Sequence, residues 1–131
     1  MVKPLPYLLL RLLVGMSLFG HGLIRLPKLQ GFSAWMVKQF QNSPLPQELV
    51  TPFSYILPFA ELVTGALLLA GLFTRYALVA GALIMIALIF GSSMIEDWAA
   101  IPSQLIHGFI IALLLNYIEA NRFSADCKLK H

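Results

Sequence analysis

Four stretches of the chain, 5–26, 52–72, 76–94 and 99–118, are nearly unbroken runs of apolar residues. A helix rises about 1.5 Å per residue, so each run is long enough to cross the roughly 30 Å hydrocarbon core of a bilayer. Helix is the expected form, because a backbone amide in lipid must find its partner within its own segment, and the period-two alternation of a membrane barrel is absent. Turn-forming and charged residues separate the runs: Pro27 and Gly31 after the first, Gly71, Thr74 and Arg75 after the second, and Glu96, Asp97 and Pro102 around the third turn. Only 27–51 forms a long loop. Within it Phe32, Trp35, Met36 and Phe40 recur at helical spacing beside Lys38 and Gln39, which predicts a helix lying in the membrane interface. The expected fold is an all-α membrane protein: one domain over 1–131, built as an antiparallel bundle of four transmembrane helices with an interfacial helix in the first loop.

Composition agrees with the pattern. Hydrophobic residues make up 59% of the chain and charged ones 11%, and the mean hydropathy is +0.81. Those values lie outside the range of water-soluble domains and make membrane lipid the expected surrounding. Four spans leave no room for a separate soluble catalytic domain. The first apolar run follows Lys3, is interrupted by Arg11 and has no small-residue cleavage site after it, so it is read as a retained span rather than a signal peptide. The formal net charge of +3 is scattered and forms no basic run with interleaved aromatics, which argues against nucleic acid. Cys127 is the single cysteine and lies in the tail, so an internal disulfide, a Cys-x-x-Cys pair or a thiolate cluster is excluded within one chain. Counting Lys and Arg, the two tails and the turn at Arg75 hold Lys3, Arg75, Arg122, Lys128 and Lys130. The opposite side holds Arg25, Lys28 and Lys38 with Glu48, Glu96 and Asp97. The positive-inside rule then places both termini in the cytoplasm.

The polar residues inside the spans carry the functional signal, because a charge near the bilayer centre costs on the order of 3 kcal/mol unless paired or hydrated. Arg11 in the first span and Glu61 in the second are such charges, and antiparallel neighbours bring them within reach of each other as an expected pair. Arg11 shares a face with Gly15, Leu18 and Gly22, and Glu61 with Pro58 and Gly65, so small residues beside each charge allow close helix approach. His21, Gln104 and His107 point toward the same region, giving a titratable cluster roofed by the long loop. Each residue also has a structural reading: Arg11 with Glu61 as a pair fixing register, His21 as an interfacial hydrogen-bonding group, His107 as a cross-link between helices. The short-range His-x-x-x-His or Glu-x-x-His spacing of metal sites is missing, so no metal is expected. Trp35, Trp98, Tyr7, Tyr55 and Tyr117 read as interface anchors. Gly81 and Gly91 on the third span leave a homo-oligomer open.

Leu10-Arg11-Leu12 followed by His21-Gly22-Leu23-Ile24-Arg25-Leu26 resembles the first span of the DoxX family of small bacterial membrane proteins. Glu61 with Gly65, then Gly71-Leu72-Phe73-Thr74-Arg75, resembles its second span and turn, and Arg122-Phe123-Ser124-Ala125-Asp126 resembles its C-terminal ending. The resemblance runs through nearly the whole chain. It departs at Arg25, where a lysine is common, and at Glu119-Ala120-Asn121, which replaces a glycine-containing stretch. The resemblance implies a four-helix protein of the bacterial inner membrane associated with redox biology, with relatives linked to quinone reduction and thiol enzymes. The expected function is a redox-associated component that binds a quinone-like or other amphipathic ligand among Arg11, His21, Glu61, Gln104 and His107. The alternatives are a non-enzymatic scaffold for a partner redox enzyme or a small proton-coupled transporter. No nucleophile motif or cofactor fingerprint marks the chain as an enzyme.

Overall fold

The computed structural model describes residues 3–129, and among them every regular element is helical. Six α-helices follow in order: α1 Pro4–Arg25, α2 Leu29–Gln39, α3 Gln47–Ala70, α4 Thr74–Met94, α5 Ile101–Asn116 and the short α6 Ala125–Leu129. Lys130 therefore lies outside the described residues. Prolines open α1 and α5, where a missing N–H costs nothing because the first amides of a helix have no partner within it. Pro27 ends α1 through a single 3₁₀ turn, after which the chain restarts as α2. Gly71, at φ 69°, closes α3 in the left-handed conformation that glycine adopts without a Cβ clash.

The apolar runs became helices with shifted ends. α3 starts at Gln47, before the expected 52, because Pro52 sits inside the helix and the turn formers Pro44 and Pro46 precede it. The stretch expected as a fourth span is shorter than its run: α5 holds 16 residues, about 24 Å, since the chain turns at Glu96 to Ala100 and leaves α-helix at Tyr117. Three stretches, Pro4–Gln39, Gln47–Ala70 and Thr74–Met94, are long and apolar enough to cross a membrane, and Ile101–Asn116 is a shorter apolar helix.

α1 packs on α3, α3 on α4, α4 on α5, and α5 returns to α1, while α2 lies on α3. One end of this assembly holds the start of α1, the α3–α4 turn and the C-terminal segment; it is the tail end. The other holds α2 and the α4–α5 turn; it is the loop end. Tyr7, Val14, Leu18, Leu68, Leu78, Met85, Ile111 and Leu114 form the main core. A second core of Met36, Val50 and Leu57 lies under α2. Leu5, Leu9, Leu13, Phe59, Val63, Leu83, Ile86, Ile106 and Phe109 point outward, an apolar surface suited to lipid contact rather than water.

Two sequence expectations are corrected. Tyr7 is a core residue, 2% exposed, and its hydroxyl donates to the Leu114 carbonyl at 2.7 Å. A buried phenol needs a partner, and this one joins α1 to α5 instead of anchoring at an interface. Gly81 and Gly91 do not offer a small-residue stripe to another copy: a Cβ on Gly81 would meet Ile111 at 3.1 Å and one on Gly91 would meet the Phe40 ring at 3.1 Å.

The closest helix contact is α1 on α3. Gly15 lies against Gly65 and Leu68, and a Cβ on Gly22 would sit 2.6 Å from both the Leu62 amide nitrogen and the Pro58 carbonyl oxygen. Gly20, on the same helix, has nothing within 4 Å of the equivalent position. Gly22→Ala must push backbones apart and is expected to cost about 1–3 kcal/mol, read as a lower melting temperature in detergent, whereas Gly20→Ala is expected to leave melting unchanged.

Candidate functional site

The glycine contacts run in opposite senses along α1 and α3 and so define an antiparallel register. Gly22 is level with Pro58 and Leu62, and Gly15 with Gly65 and Leu68. Glu61 therefore stands beside the loop end of α1, and Arg11 stands about 15 Å away along the axis, beside Gly71. The expected Arg11–Glu61 pair does not form.

Glu61 pairs with Arg25 instead. The Arg25 Nη1 donates to Glu61 Oε1 at 2.7 Å, with the carboxylate side chain 3% exposed and the arginine 29%. The guanidinium also lies over the Phe32 ring of α2, 4.5 Å from its centroid. A buried carboxylate needs a charged partner with good geometry, and Arg25 supplies it from the last turn of α1, one turn beyond His21.

These residues face a cavity of about 310 Å³ at the loop end. Phe32 and Trp35 of α2, Phe40 just after it and Phe53 of α3 give it an aromatic side, to which Met36 of α2 adds an apolar thioether. Its polar side comes from Arg25, Glu61, His21, Gln104 and His107. Four of the five expected site residues thus line one cavity. Arg11 is absent from its lining.

Hydrogen bonds fix much of the polar wall. His21 Nδ1 lies 2.6 Å from the Ser17 carbonyl, and His107 Nδ1 lies 2.7 Å from the Ser103 carbonyl. A carbonyl only accepts, so each Nδ1 carries the proton and a neutral ring leaves Nε2 as acceptor. His107 Nε2 then accepts from the Ser17 hydroxyl at 2.7 Å, which ties α5 to α1. Gln104 Nε2 donates to the Ser92 hydroxyl at 3.0 Å, while its Oε1 is buried with no hydrogen-bond partner. Among the described residues, no group of three or more His, Cys, Asp and Glu side chains is arranged to hold a metal ion.

Ser17, Ser92 and Phe32 as partners of the cluster escaped the sequence reading, as did the pairing role of Arg25. One signal was present: Ser17-x-x-x-His21 and Ser103-x-x-x-His107 share a spacing that puts each histidine one helical turn after a serine. Arg25 enters the sequence reading only through the charge count and the motif, because the contact of α2 with the end of α1 is not visible in the linear chain.

The remaining motif residues build the tail end. Buried Arg11 donates from Nη1 to Asn121 Oδ1 at 2.6 Å, and Asn121 Nδ2 donates to the Thr74 hydroxyl at 3.0 Å. Asp126 accepts from the amides of Phe73 (2.7 Å) and Thr74 (2.8 Å), so a residue from the tail caps α4 where Phe73 has no capping side chain. The Asp126 amide in turn donates to the Gly71 carbonyl at 2.9 Å, and Ser124 packs against Gly71. Arg75 and Arg122 are exposed.

A family model described as DoxX matches residues 7–94. No curated protein and no solved structure matches.

The pairing has a direct test in detergent melting. Arg25→Ala leaves Glu61 buried beside a lost counter-charge and is expected to cost about 3 kcal/mol. Replacing both, Arg25→Leu with Glu61→Leu, is expected to recover most of that loss. Arg11→Ala is expected to destabilise with no rescue from Glu61→Leu; rescue there would restore the pairing that the register excludes.

Proposed function

The chain belongs to the DoxX family, and from that premise we propose that this multi-pass membrane protein is a redox-associated component of the bacterial inner membrane whose loop-end cavity holds a quinone-like or other amphipathic small ligand. In this reading α1, α3, α4 and α5 cross the membrane as an antiparallel bundle with both termini in the cytoplasm. The α2 helix lies in the opposite interface as a roof.

The observation that carries the reading is the cavity's division into two chemistries. Its volume, about 310 Å³, is at the lower end of the roughly 300–1,000 Å³ found for small-ligand sites, enough for one ring-sized head group. The aromatic side suits stacking against a flat ring. The polar side offers groups at the ring's edge: His21 Nε2 and the unpartnered Gln104 Oε1 to accept from ring hydroxyls, and Glu61 to exchange a proton, while His107, with both ring nitrogens bonded to Ser17 and Ser103, closes the wall. Arg25 holds Glu61 in place and answers negative charge on a reduced ligand. Arg11 has no part in this chemistry, because it bonds the tail end.

Purification in a mild detergent followed by mass spectrometry of co-extracted small molecules tests the reading. Wild type is expected to carry a quinone or comparable amphiphile in near-stoichiometric amount. Glu61→Gln is expected to retain about tenfold less, the size of effect given by loss of one charged hydrogen bond. A bundle holding only bulk lipid in both proteins would refute the ligand and favour a scaffold for a partner enzyme.

A further inference from the structure

The residues lining the loop-end cavity are not equally covered. Glu61 and Ser92 are buried, whereas His21, Trp35, Asp97 and Ser103 are exposed. Residues that both line a cavity and meet the surroundings mark its mouth, and these come from α1, α2, the α4–α5 turn and α5.

The hydrogen bonds between α1 and α5 locate that mouth along the helices. Tyr7 bonds Leu114 near the tail end and Ser17 bonds His107 further up, so the two helices run antiparallel and are fastened as far as Ser17. One turn beyond, His21 on α1 comes level with Ser103 on α5, since each lies four residues from its member of the Ser17–His107 pair. Both are exposed there. The side chains flanking this part of the seam are apolar and outward: Ile24 is 61% exposed and Ile106 59%. Trp35, 55% exposed, and the charged Asp97 stand at the same end. An aromatic ring with a polar edge and a carboxylate are the pair expected where hydrocarbon gives way to head groups and water.

We propose that the mouth is a lateral portal between α1 and α5, opening at the level of His21 and Ser103, through which an amphiphile enters head first from the bilayer. The proposal rests on the reading that the cavity holds a ligand, and it specifies the class: a lipid-soluble molecule with a polar ring and a long apolar tail. The head group passes His21 to reach Glu61, Gln104 and His107. The tail stays outside along Ile24 and Ile106, where lipid already covers the surface. Such a molecule never has to leave the membrane to bind, and a cavity sized for the ring alone need not accommodate the tail.

The test uses the purified full-length protein in lipid nanodiscs and two probes: a benzoquinone bearing a long alkyl tail with a photoreactive diazirine near its end, and the same quinone without a tail. With wild type, the tailed quinone is expected to bind at least about tenfold tighter than the tailless one, and its light-induced cross-links are expected on His21, Ile24, Ser103 and Ile106. Ser103→Trp fills the mouth and is expected to lower binding of the tailed quinone about tenfold. Gly20→Trp, which adds the same bulk where nothing lies within 4 Å, is expected to leave it unchanged. Cross-links in wild type confined to the outward faces of α3 and α4 would overturn the portal without reference to any variant. Equal binding of both probes, undiminished by Ser103→Trp, would overturn the portal and leave the cavity reading standing. Failure of wild type to bind either probe would overturn both.

Discussion

The close approach of α1 and α3 through Gly15, Gly22 and Gly65 is the contact on which the other polar arrangements depend. In lipid the apolar faces of helices gain little by leaving their surroundings, so association rests on packing and on polar contacts made at short range. Glycine supplies the first by letting backbone meet backbone: the Gly22 position is bounded by the Leu62 amide and the Pro58 carbonyl, not by side chains. That interlock sets the register, and the register decides which buried charges meet. A slip of one helical turn, about 5.4 Å, would carry Glu61 away from Arg25 and Gly71 away from Arg11. Glu61 is thereby matched to Arg25 and Arg11 to Asn121, so one interlock fixes two polar arrangements.

Those arrangements differ in kind. At the tail end most polar groups bond one another: Arg11 Nη1 with Asn121, Asn121 with Thr74, Asp126 with the amides of Phe73 and Thr74, while the buried Arg11 Nε has no hydrogen-bond partner. The positive φ of Phe73, 49°, is unusual for an aromatic residue, and the two bonds from Asp126 hold the turn in that conformation. The loop end is also hydrogen-bonded, but it leaves volume, exposed polar groups and the unpartnered Gln104 oxygen. The hydrogen-bonded network at one end fixes the helices there while the other end keeps room between them. The C-terminal motif thus serves the cavity from a distance, by holding the α3–α4 turn that α3 and α4 both leave from.

The helical elements were legible because lipid leaves an apolar run few other conformations, and the spacing of Phe32, Trp35, Met36 and Phe40 was enough to find α2. The convergence of Glu61, Gln104 and His107 was legible for a related reason, since polar groups within apolar runs are costly when they face lipid, and His21 joins them at the exposed rim of the same cavity. The pairing of charges was not legible. Arg11 and Glu61 each look central within their own runs, and only the interdigitation of glycines, a property of two helices together, shows that their levels differ. Tyr7 misled because an aromatic near a span end fits an interface as well as a core until the Leu114 carbonyl is found opposite its hydroxyl. Asp126 stood within a recognisable ending, but its role as a cap for α4 depends on a contact across more than fifty residues of chain.

Arg25 joins the buried carboxylate to the roof, and its chemistry explains why an arginine suits the position. Lysine would bring a point charge to Glu61 but has no planar face to lay on Phe32. The guanidinium does both, bonding Glu61 through Nη1 and stacking 4.5 Å from the Phe32 centroid, a contact worth about 0.5–2 kcal/mol. A second tie lies beside it. The Ser54 hydroxyl donates to the Thr51 carbonyl at 2.6 Å, and because it has one proton, Ser33 of α2 donates to it across 2.7 Å. The roof is therefore held to α3 by one neutral bond and to Glu61 by one cation shared between carboxylate and ring. Arg25 thus touches both floor and roof of the cavity, so the group that pairs with its buried carboxylate also contacts its aromatic wall.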